Sequence, residues 1–291
     1  MAQLYQGSIR RRSAFGLAHM MRLGNSSLMG IAVIASEFVA KRGFPSFWQA
    51  LVGFCIAFFL TAGVMVTNDY FDKEIDRINR PDRPIPSGMV SERLALIASF
   101  IFFVAGLTLS LAGPWYLMAF PLALFSLVIS LEYNYKLKRK GLIGNAIVSF
   151  NVALPFLYGS IMVGQITSIN ALFFGYAFQA NMAREIIKGV PDMQGDKNKG
   201  VRTIAVVYGP SLALKIGFVI VFLDVLASPV PYIIGSAGFL YLIVLAVGDA
   251  ILLHSSLYMM LKKNEEAVKK GKNEMLLGMA IVILAFFVSP L

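Results

Sequence analysis

The chain holds one cysteine, Cys55, two histidines, His19 and His254, and only 16 acidic residues among 291. A lone cysteine excludes an internal disulfide and a cysteine-built metal centre. Two histidines so far apart make no site of the kind that holds zinc, and they are expected in packing or interfacial roles. No Pro/Ser-rich linker, low-complexity tract or soluble segment interrupts the pattern, so residues 1–291 read as a single domain.

What is abundant is apolar. Hydrophobic residues make up 57% of the chain and the mean hydropathy is +0.71, far beyond what a soluble domain of this length needs. Apolar runs long enough to cross a hydrocarbon core of about 30 Å lie near 24–40, 46–67, 93–111, 114–132, 143–163, 169–187, 209–228, 236–258 and 275–290. None alternates polar and apolar residues as a membrane barrel strand does. The expected fold class is therefore all-α, a polytopic membrane protein with about nine transmembrane helices around a central cavity. Arg10 to Arg12 before an apolar stretch resemble the start of a secretory signal, but the stretch is long and Arg22 stands at its beginning, so it is taken as helix one.

The 26 Lys and Arg set the topology. Arg10, Arg11, Arg12 and Arg22 precede helix one, Lys73, Arg77, Arg80, Arg83 and Arg93 follow helix two, and Lys136, Lys138, Arg139 and Lys140 follow helix four. Lys188, Lys197, Lys199, Arg202 and Lys215 surround the loop after helix six, and Lys262, Lys263, Lys269, Lys270 and Lys272 follow helix eight. The intervening loops carry only Lys41 and Arg42. Such alternation predicts a cytoplasmic amino terminus, cytoplasmic active-site loops and, with an odd helix count, an external carboxyl terminus. The net charge of +10 thus serves topology and anionic membrane lipids, and no nucleic-acid partner is expected. The segment from Lys262 to Lys272 is either an amphipathic surface helix or a charged loop.

Acidic residues are scarce but concentrated. Asn68-Asp69-x-x-Asp72-x-x-x-Asp76 and Asp192-x-x-x-Asp196 each follow an apolar run, and the second Asp pair lies 120 residues after the first. On a helix, Asn68, Asp69, Asp72 and Asp76 fall within a ~100° arc while Glu74 points away. Asp192 and Asp196 share a face if their segment is helical, although Gly189, Pro191 and Gly195 make it irregular. Hard oxygen donors without His or Cys suit Mg2+, which commonly bridges carboxylates to a substrate phosphate. The competing reading is a solvated acidic helix end paired with nearby arginines. Basic residues on the same side supply the other half of a phosphate site, Arg22 and Lys188 foremost. The matched spacing suggests two equivalent halves with facing clusters, on the strength of one coincidence.

Other polar residues in the apolar runs have plainer readings. Asp224 and Asp249 lie inside helices seven and eight, either as part of an ion pathway or as protonated or hydrogen-bonded groups. Asn151 and Asn181 are expected to make interhelical hydrogen bonds. Glu185 either orients Arg184 or Lys188 or helps to place a second substrate.

Together with Arg83-Pro84-Ile85-Pro86-Ser87-Gly88 and the Tyr/Lys segment Glu132-Tyr133-Asn134-Tyr135-Lys136-Leu137-Lys138-Arg139, the two acidic motifs resemble the UbiA superfamily of intramembrane prenyltransferases over essentially the whole chain. That resemblance implies a UbiA-type membrane domain whose Asp motifs hold two Mg2+ ions on an allylic diphosphate. Its metal ligands would be Asn68, Asp69, Asp72, Asp76, Asp192 and Asp196, with Asp72, Asp76, Asp192 and Asp196 catalytic. Its diphosphate ligands would be Arg22, Asn68, Tyr133, Tyr135, Lys138, Arg139, Lys188 and Arg202. Within the superfamily, the strings running from Asn68 to Pro81 and from Arg184 to Lys188 most resemble the archaeal digeranylgeranylglyceryl phosphate synthases, which implies geranylgeranyl transfer to a geranylgeranylglyceryl phosphate acceptor. Aromatic acceptors, of the 4-hydroxybenzoate or chlorophyllide type, are the alternative inside the superfamily. An ion-coupled secondary transporter is the alternative outside it, favoured if Asp224 and Asp249 rather than Asp72 and Asp192 are essential.

Overall fold

The computed structural model describes residues 12–113, 115–198 and 200–290. Arg10, Arg11 and Lys199, counted above among the topological charges, lie outside the described residues. Among the described residues there are helices and turns and no strand. In chain order the helices are α1 (12–20), α2 (Leu23–Lys41), α3 (Phe47–Phe71), α4 (Lys73–Asn79), α5 (Glu92–Leu109), α6 (Tyr116–Tyr135), α7 (Leu142–Ala153), α8 (Pro155–Met162), α9 (Ser168–Lys188), α10 (Met193–Asn198), α11 (Ile204–Tyr208), α12 (Pro210–Ala227), α13 (Val230–Ile233), α14 (Phe239–Lys262) and α15 (Glu265–Val288).

Eight described segments are long and apolar enough to cross a membrane. The ninth expected crossing, near 169–187, is the helix α9, but Gln179, Asn181, Arg184, Glu185 and Lys188 leave it less apolar than the others. The protein is a multi-pass membrane protein built of helices, as the composition requires. Phe100, Ile101, Leu117 and Phe125 are all more than half exposed, an arrangement costly in water and natural against lipid tails. The run expected at 143–163 is broken in two, because Pro155 has no N–H to give and stands at the first position of α8, directly after Leu154 caps α7.

The contacts divide into two compact units, with the division falling inside α2. In the unit formed by residues up to Val33 and Phe47–Tyr135, α3 packs on α5 and α6. Asn134 of α6 donates to the Thr67 hydroxyl (3.2 Å) and the Val64 carbonyl (3.1 Å), tying α6 to the last turns of α3. Met20, Val66, Ile85, Val90 and Ala95 form a buried cluster beneath the first acidic motif.

In the second unit, Ile34–Ser46 with Lys136–Leu291, α14 and α15 form a tight pair and α9 packs on α7, α12 and α15. The close approach depends on Gly248 and Gly278: an added Cβ on either would lie 3.2 Å or less from the backbone of the facing helix. Lys262 ends α14, Lys263 adopts the left-handed conformation and the Asn264 side chain caps α15 through Ala267 N–H (2.8 Å). The charged segment from Lys262 to Lys272 is therefore a tight helix-to-helix turn followed by the first turns of α15.

Asn170, fully buried at the start of α9, donates to the Ser36 hydroxyl (2.8 Å) and lies within reach of the Ser36 and Phe156 carbonyls. Ser36 in turn donates to the Phe156 carbonyl. Asn170→Ala should therefore lower thermal stability in detergent by about 2 kcal/mol, since buried acceptors lose their donor. A melting curve unchanged from wild type would contradict this.

Candidate active site

The end of α3 carries the first acidic motif. Asp72 breaks the helix formally, but its N–H still bonds the Asn68 carbonyl (3.0 Å), and the Asp76 N–H bonds the Asp72 carbonyl (2.8 Å). The helical pitch thus runs across the junction and keeps Asn68, Asp72 and Asp76 on one side, while Glu74 is exposed and pairs with Arg77 (2.8 Å). The Asn68 amide donates to Asp72 Oδ2 (3.1 Å). Asp69 and Asp76 are buried.

Two guanidinia meet the buried carboxylates. Arg22 reaches Asp69 Oδ1 at 3.3 Å, and Arg83 bridges Asp69 Oδ1 at 2.8 Å and Asp76 Oδ2 at 3.2 Å. Arg22 turns the chain from α1 into α2 with φ of 47°, a left-handed conformation that costs a non-glycine residue about 1 kcal/mol and commonly marks a functional position. Arg83 is held by its own loop: Ser87 bonds the Arg83 carbonyl through both N–H and hydroxyl, Val90 N–H bonds the Pro84 carbonyl, Ile85 and Val90 are buried, and Gly88 supplies φ of 74°. The Arg-Pro-Ile-Pro-Ser-Gly stretch is thus a structured turn whose product is a fixed guanidinium. Beside it lies a cavity of about 570 Å3 lined by Phe15, His19, Arg22, Asn25, Asp69 and Arg83 among others.

Among the described residues no three acidic, histidine or cysteine side chains converge as a ready-made metal cage. The carboxylates of the first motif are shared between Asn68 and two arginines, so the alternative of an acidic helix end paired with arginines holds for the pairing, although Asp69 and Asp76 are buried rather than solvated. The donors are all oxygen and Asp69 and Asp76 already neutralise a cation, which suits a hard divalent ion. Tyr135 is exposed with its ring against Phe71 at 5.9 Å, and Tyr133 is half-buried.

In the second unit, α9 ends in a salt-bridged cluster. Glu185 accepts from Lys188 (3.2 Å) and Arg184 (3.3 Å), which answers the first of its two expected roles. The chain turns at Gly189, and Asp196 N–H bonds the Asp192 carbonyl (2.9 Å), so the two carboxylates stand one helical turn apart despite the glycines and proline. Asp192 and the Arg202 side chain are exposed, as are Lys138 and Arg139 in the short 3-10 turn Leu137–Arg139. Gly141, with φ of 56°, brings its Cα against the Arg202 backbone, which fastens the loop after Asp196 to the start of α7.

Among the remaining polar groups, Asn181 bonds the Ser149 hydroxyl on α7 (3.1 Å) and Asn151 bonds its own helix at the Ile147 carbonyl (3.1 Å). Asp249 accepts from Ser228 (2.7 Å), whereas buried Asp224 leaves Oδ1 with no hydrogen-bond partner among the described residues. Asp224→Asn replaces a buried carboxyl group by a neutral isostere and should leave activity within about twofold of wild type without lowering thermal stability. Loss of activity in a folded Asp224→Asn variant would contradict a purely structural place for this acid.

Sequence spacing did not single out Arg83 as the residue bridging Asp69 and Asp76, nor Asn134 as the brace on Thr67. The only signal for Asn134 is an amide set between two tyrosines, Tyr133 and Tyr135, at a helix end.

Known proteins are similar to this chain in sequence and in fold. A digeranylgeranylglyceryl phosphate synthase of Natronomonas pharaonis is 40% identical over 79% of this chain and 82% of its own length. A solved structure described as that of a digeranylgeranylglyceryl phosphate synthase in membranes superposes with a TM-score of 0.81 at 31% identity, covering 96% of this chain and 98% of that one. A UbiA homologue from Archaeoglobus fulgidus bound to DMAPP and Mg2+ shares the fold, with a TM-score of 0.65 at 17% identity over 93% of this chain and 98% of that one. With the description of the UbiA prenyltransferase family matching residues 28–289, helices and acidic motifs included, the chain belongs to the UbiA prenyltransferase family.

Proposed function

We propose that this prenyltransferase transfers a geranylgeranyl group from geranylgeranyl diphosphate to the free glycerol hydroxyl of geranylgeranylglyceryl phosphate, making the second ether bond of an archaeal membrane lipid. The observation that carries the reading is the pair of buried carboxylates Asp69 and Asp76, met by the Arg22 and Arg83 guanidinia beside a cavity of about 570 Å3. The choice of acceptor is supported by the relatives at 31% and 40% identity that bear that name. In the reaction the C1–O bond of the allylic diphosphate breaks, the diphosphate leaves with the electron pair, the glycerol oxygen bonds C1, and the hydroxyl proton is released.

Asn68, Asp69, Asp72 and Asp76 of the first motif, and Asp192 and Asp196 of the second, would hold two Mg2+ ions, which supply charge neutralisation for the departing diphosphate. Arg22, Lys188, Arg202, Lys138, Arg139, Tyr133 and Tyr135 would bind diphosphate oxygens, guanidinium forks being matched to phosphate geometry. Apolar helix faces exclude water from the allylic cation. The basic residues flanking both motifs orient the amino terminus and active-site loops to the cytoplasm and the carboxyl terminus outward.

The test supplies purified protein with Mg2+ and geranylgeranyl diphosphate, and offers geranylgeranylglyceryl phosphate or 4-hydroxybenzoate. A diether phosphate detected by mass spectrometry supports the proposal. Transfer only to the aromatic acid keeps the family chemistry and overturns the acceptor.

A further inference from the structure

We propose that Arg83 is a built-in counter-cation of the first acidic motif, a positioning residue that gives up its carboxylates when a divalent metal binds and thereby makes metal affinity depend on the diphosphate. The inference rests on the reading of the first motif as a Mg2+ site.

Arg83 contributes one nitrogen, Nη1, to both Asp69 Oδ1 (2.8 Å) and Asp76 Oδ2 (3.2 Å). Asp69 and Asp76 are 5% and 7% exposed, so a cation bound by them exchanges with protein rather than with water. Arg22 also rests on Asp69 Oδ1, at 3.3 Å. An oxygen that accepts from a guanidinium at hydrogen-bond distance cannot at the same time direct that lone pair at Mg2+, whose ligands stand at about 2.1 Å. Asp69 Oδ1 accepts from both guanidinia and so has both lone pairs engaged, and metal and guanidinium compete for that oxygen.

Displacement leaves a guanidinium needing an anion. Breaking a buried ion pair is costly when one partner is stranded, and Arg83 is kept nearby by the Ser87 and Val90 hydrogen bonds of its loop. Arg83 lines the same cavity as Arg22 and Asp69, so a diphosphate placed there meets the displaced guanidinium. Metal on the carboxylates and diphosphate on Arg83 then assist each other, and linkage requires the same factor in both directions. Carboxylates occupied by Arg83 also keep the motif from taking up a divalent ion without substrate. Arg77 is the natural control, since it pairs with Glu74 (2.8 Å) and Glu92 (3.5 Å) on the exposed side and touches neither Asp69 nor Asp76 among its ion pairs.

The experiment measures Mn2+ affinity by electron paramagnetic resonance of detergent-purified wild type, Arg83→Gln and Arg77→Gln. Each is titrated alone and with the non-reactive thiolodiphosphate analogue of geranylgeranyl diphosphate, and elution volume and helicity report folding. Without the analogue, Arg83→Gln should bind Mn2+ about tenfold more tightly than wild type while Arg77→Gln is unchanged, and the analogue should tighten Mn2+ binding in wild type far more than in Arg83→Gln. Equal or weaker Mn2+ binding by a folded Arg83→Gln, or tightening by the analogue in Arg83→Gln equal to that in wild type, overturns the role of Arg83 while leaving the metal reading intact. Mn2+ bound by none of the three even with the analogue overturns the metal reading itself, and the role of Arg83 with it.

Discussion

Asp72→Ala or Asp192→Ala should abolish Mg2+-dependent release of diphosphate while leaving a folded protein in detergent. Loss of a group that stabilises developing negative charge costs a rate factor of about a hundred to a thousand, and each variant removes a proposed ligand outright. These two positions suit the experiment because Asp72 is half-buried and Asp192 is exposed, whereas Asp69 and Asp76 are buried. Asp69→Ala or Asp76→Ala would be less clean, since each takes a carboxylate from Arg83, whose side chain is 18% exposed. An uncompensated buried charge can cost about 3–5 kcal/mol, and loss of fold would then be confused with loss of chemistry. Circular dichroism and gel filtration of the Asp72→Ala and Asp192→Ala variants establish the fold, and the diphosphate assay reads the rate. Retained turnover in both would contradict the metal assignment of the motifs.

Gly141→Ala should produce a large loss of stability. The backbone there has φ of 56° and ψ of −112°, and an added Cβ would lie 2.1 Å from the Arg202 carbonyl oxygen and 2.9 Å from its carbon. Both neighbours are backbone, so no side chain can rotate away, and either the loop at Arg202 or the start of α7 must move. The combined strain and clash should cost about 3 kcal/mol or more. Gly235→Ala separates the two contributions: its φ of 69° is also left-handed, yet nothing stands within 4 Å of the added carbon. That variant should lose only about 1 kcal/mol. Melting curves in detergent that place the two variants together would contradict the close contact. Since Arg202 follows Asp196 on the same loop, Gly141→Ala should also depress diphosphate release at temperatures where the protein remains folded.

Helix content was legible because lipid imposes it: an apolar run long enough to span must satisfy its own backbone. All nine expected runs correspond to helical segments, yet α9 carries too many polar groups to count among the eight most apolar, and Pro155 breaks another in two. The spacing of Asn68, Asp72 and Asp76 correctly placed them on one face because the helical hydrogen bonds continue through Asp72. Glu74 was correctly set apart for the same reason. What spacing could not supply was the partner of each acid. Arg83 reaches Asp69 and Asp76 only because the turn through Ser87, Gly88 and Val90 folds the loop back, a matter of tertiary structure seven residues beyond the helical register of Asp76. Asp224 was recognised as expensive, but only its packing shows an oxygen without a hydrogen-bond partner among the described residues. The charged stretch after Lys262 was ambiguous because its outcome depends on Lys263 accepting a left-handed conformation and Asn264 capping α15.

On the proposed function, an allylic diphosphate loses its prenyl group to the hydroxyl of a phosphorylated glycerol lipid. The most direct measurement uses geranylgeranylglyceryl phosphate carrying 18O in its free glycerol hydroxyl, incubated with the purified protein, geranylgeranyl diphosphate and either Mg2+ or excess chelator. The account predicts a diether phosphate with the label in the new ether oxygen, unlabelled diphosphate in equal amount, and neither product when the metal is withdrawn. Diphosphate release without any labelled ether, or transfer undiminished by the chelator, would contradict it.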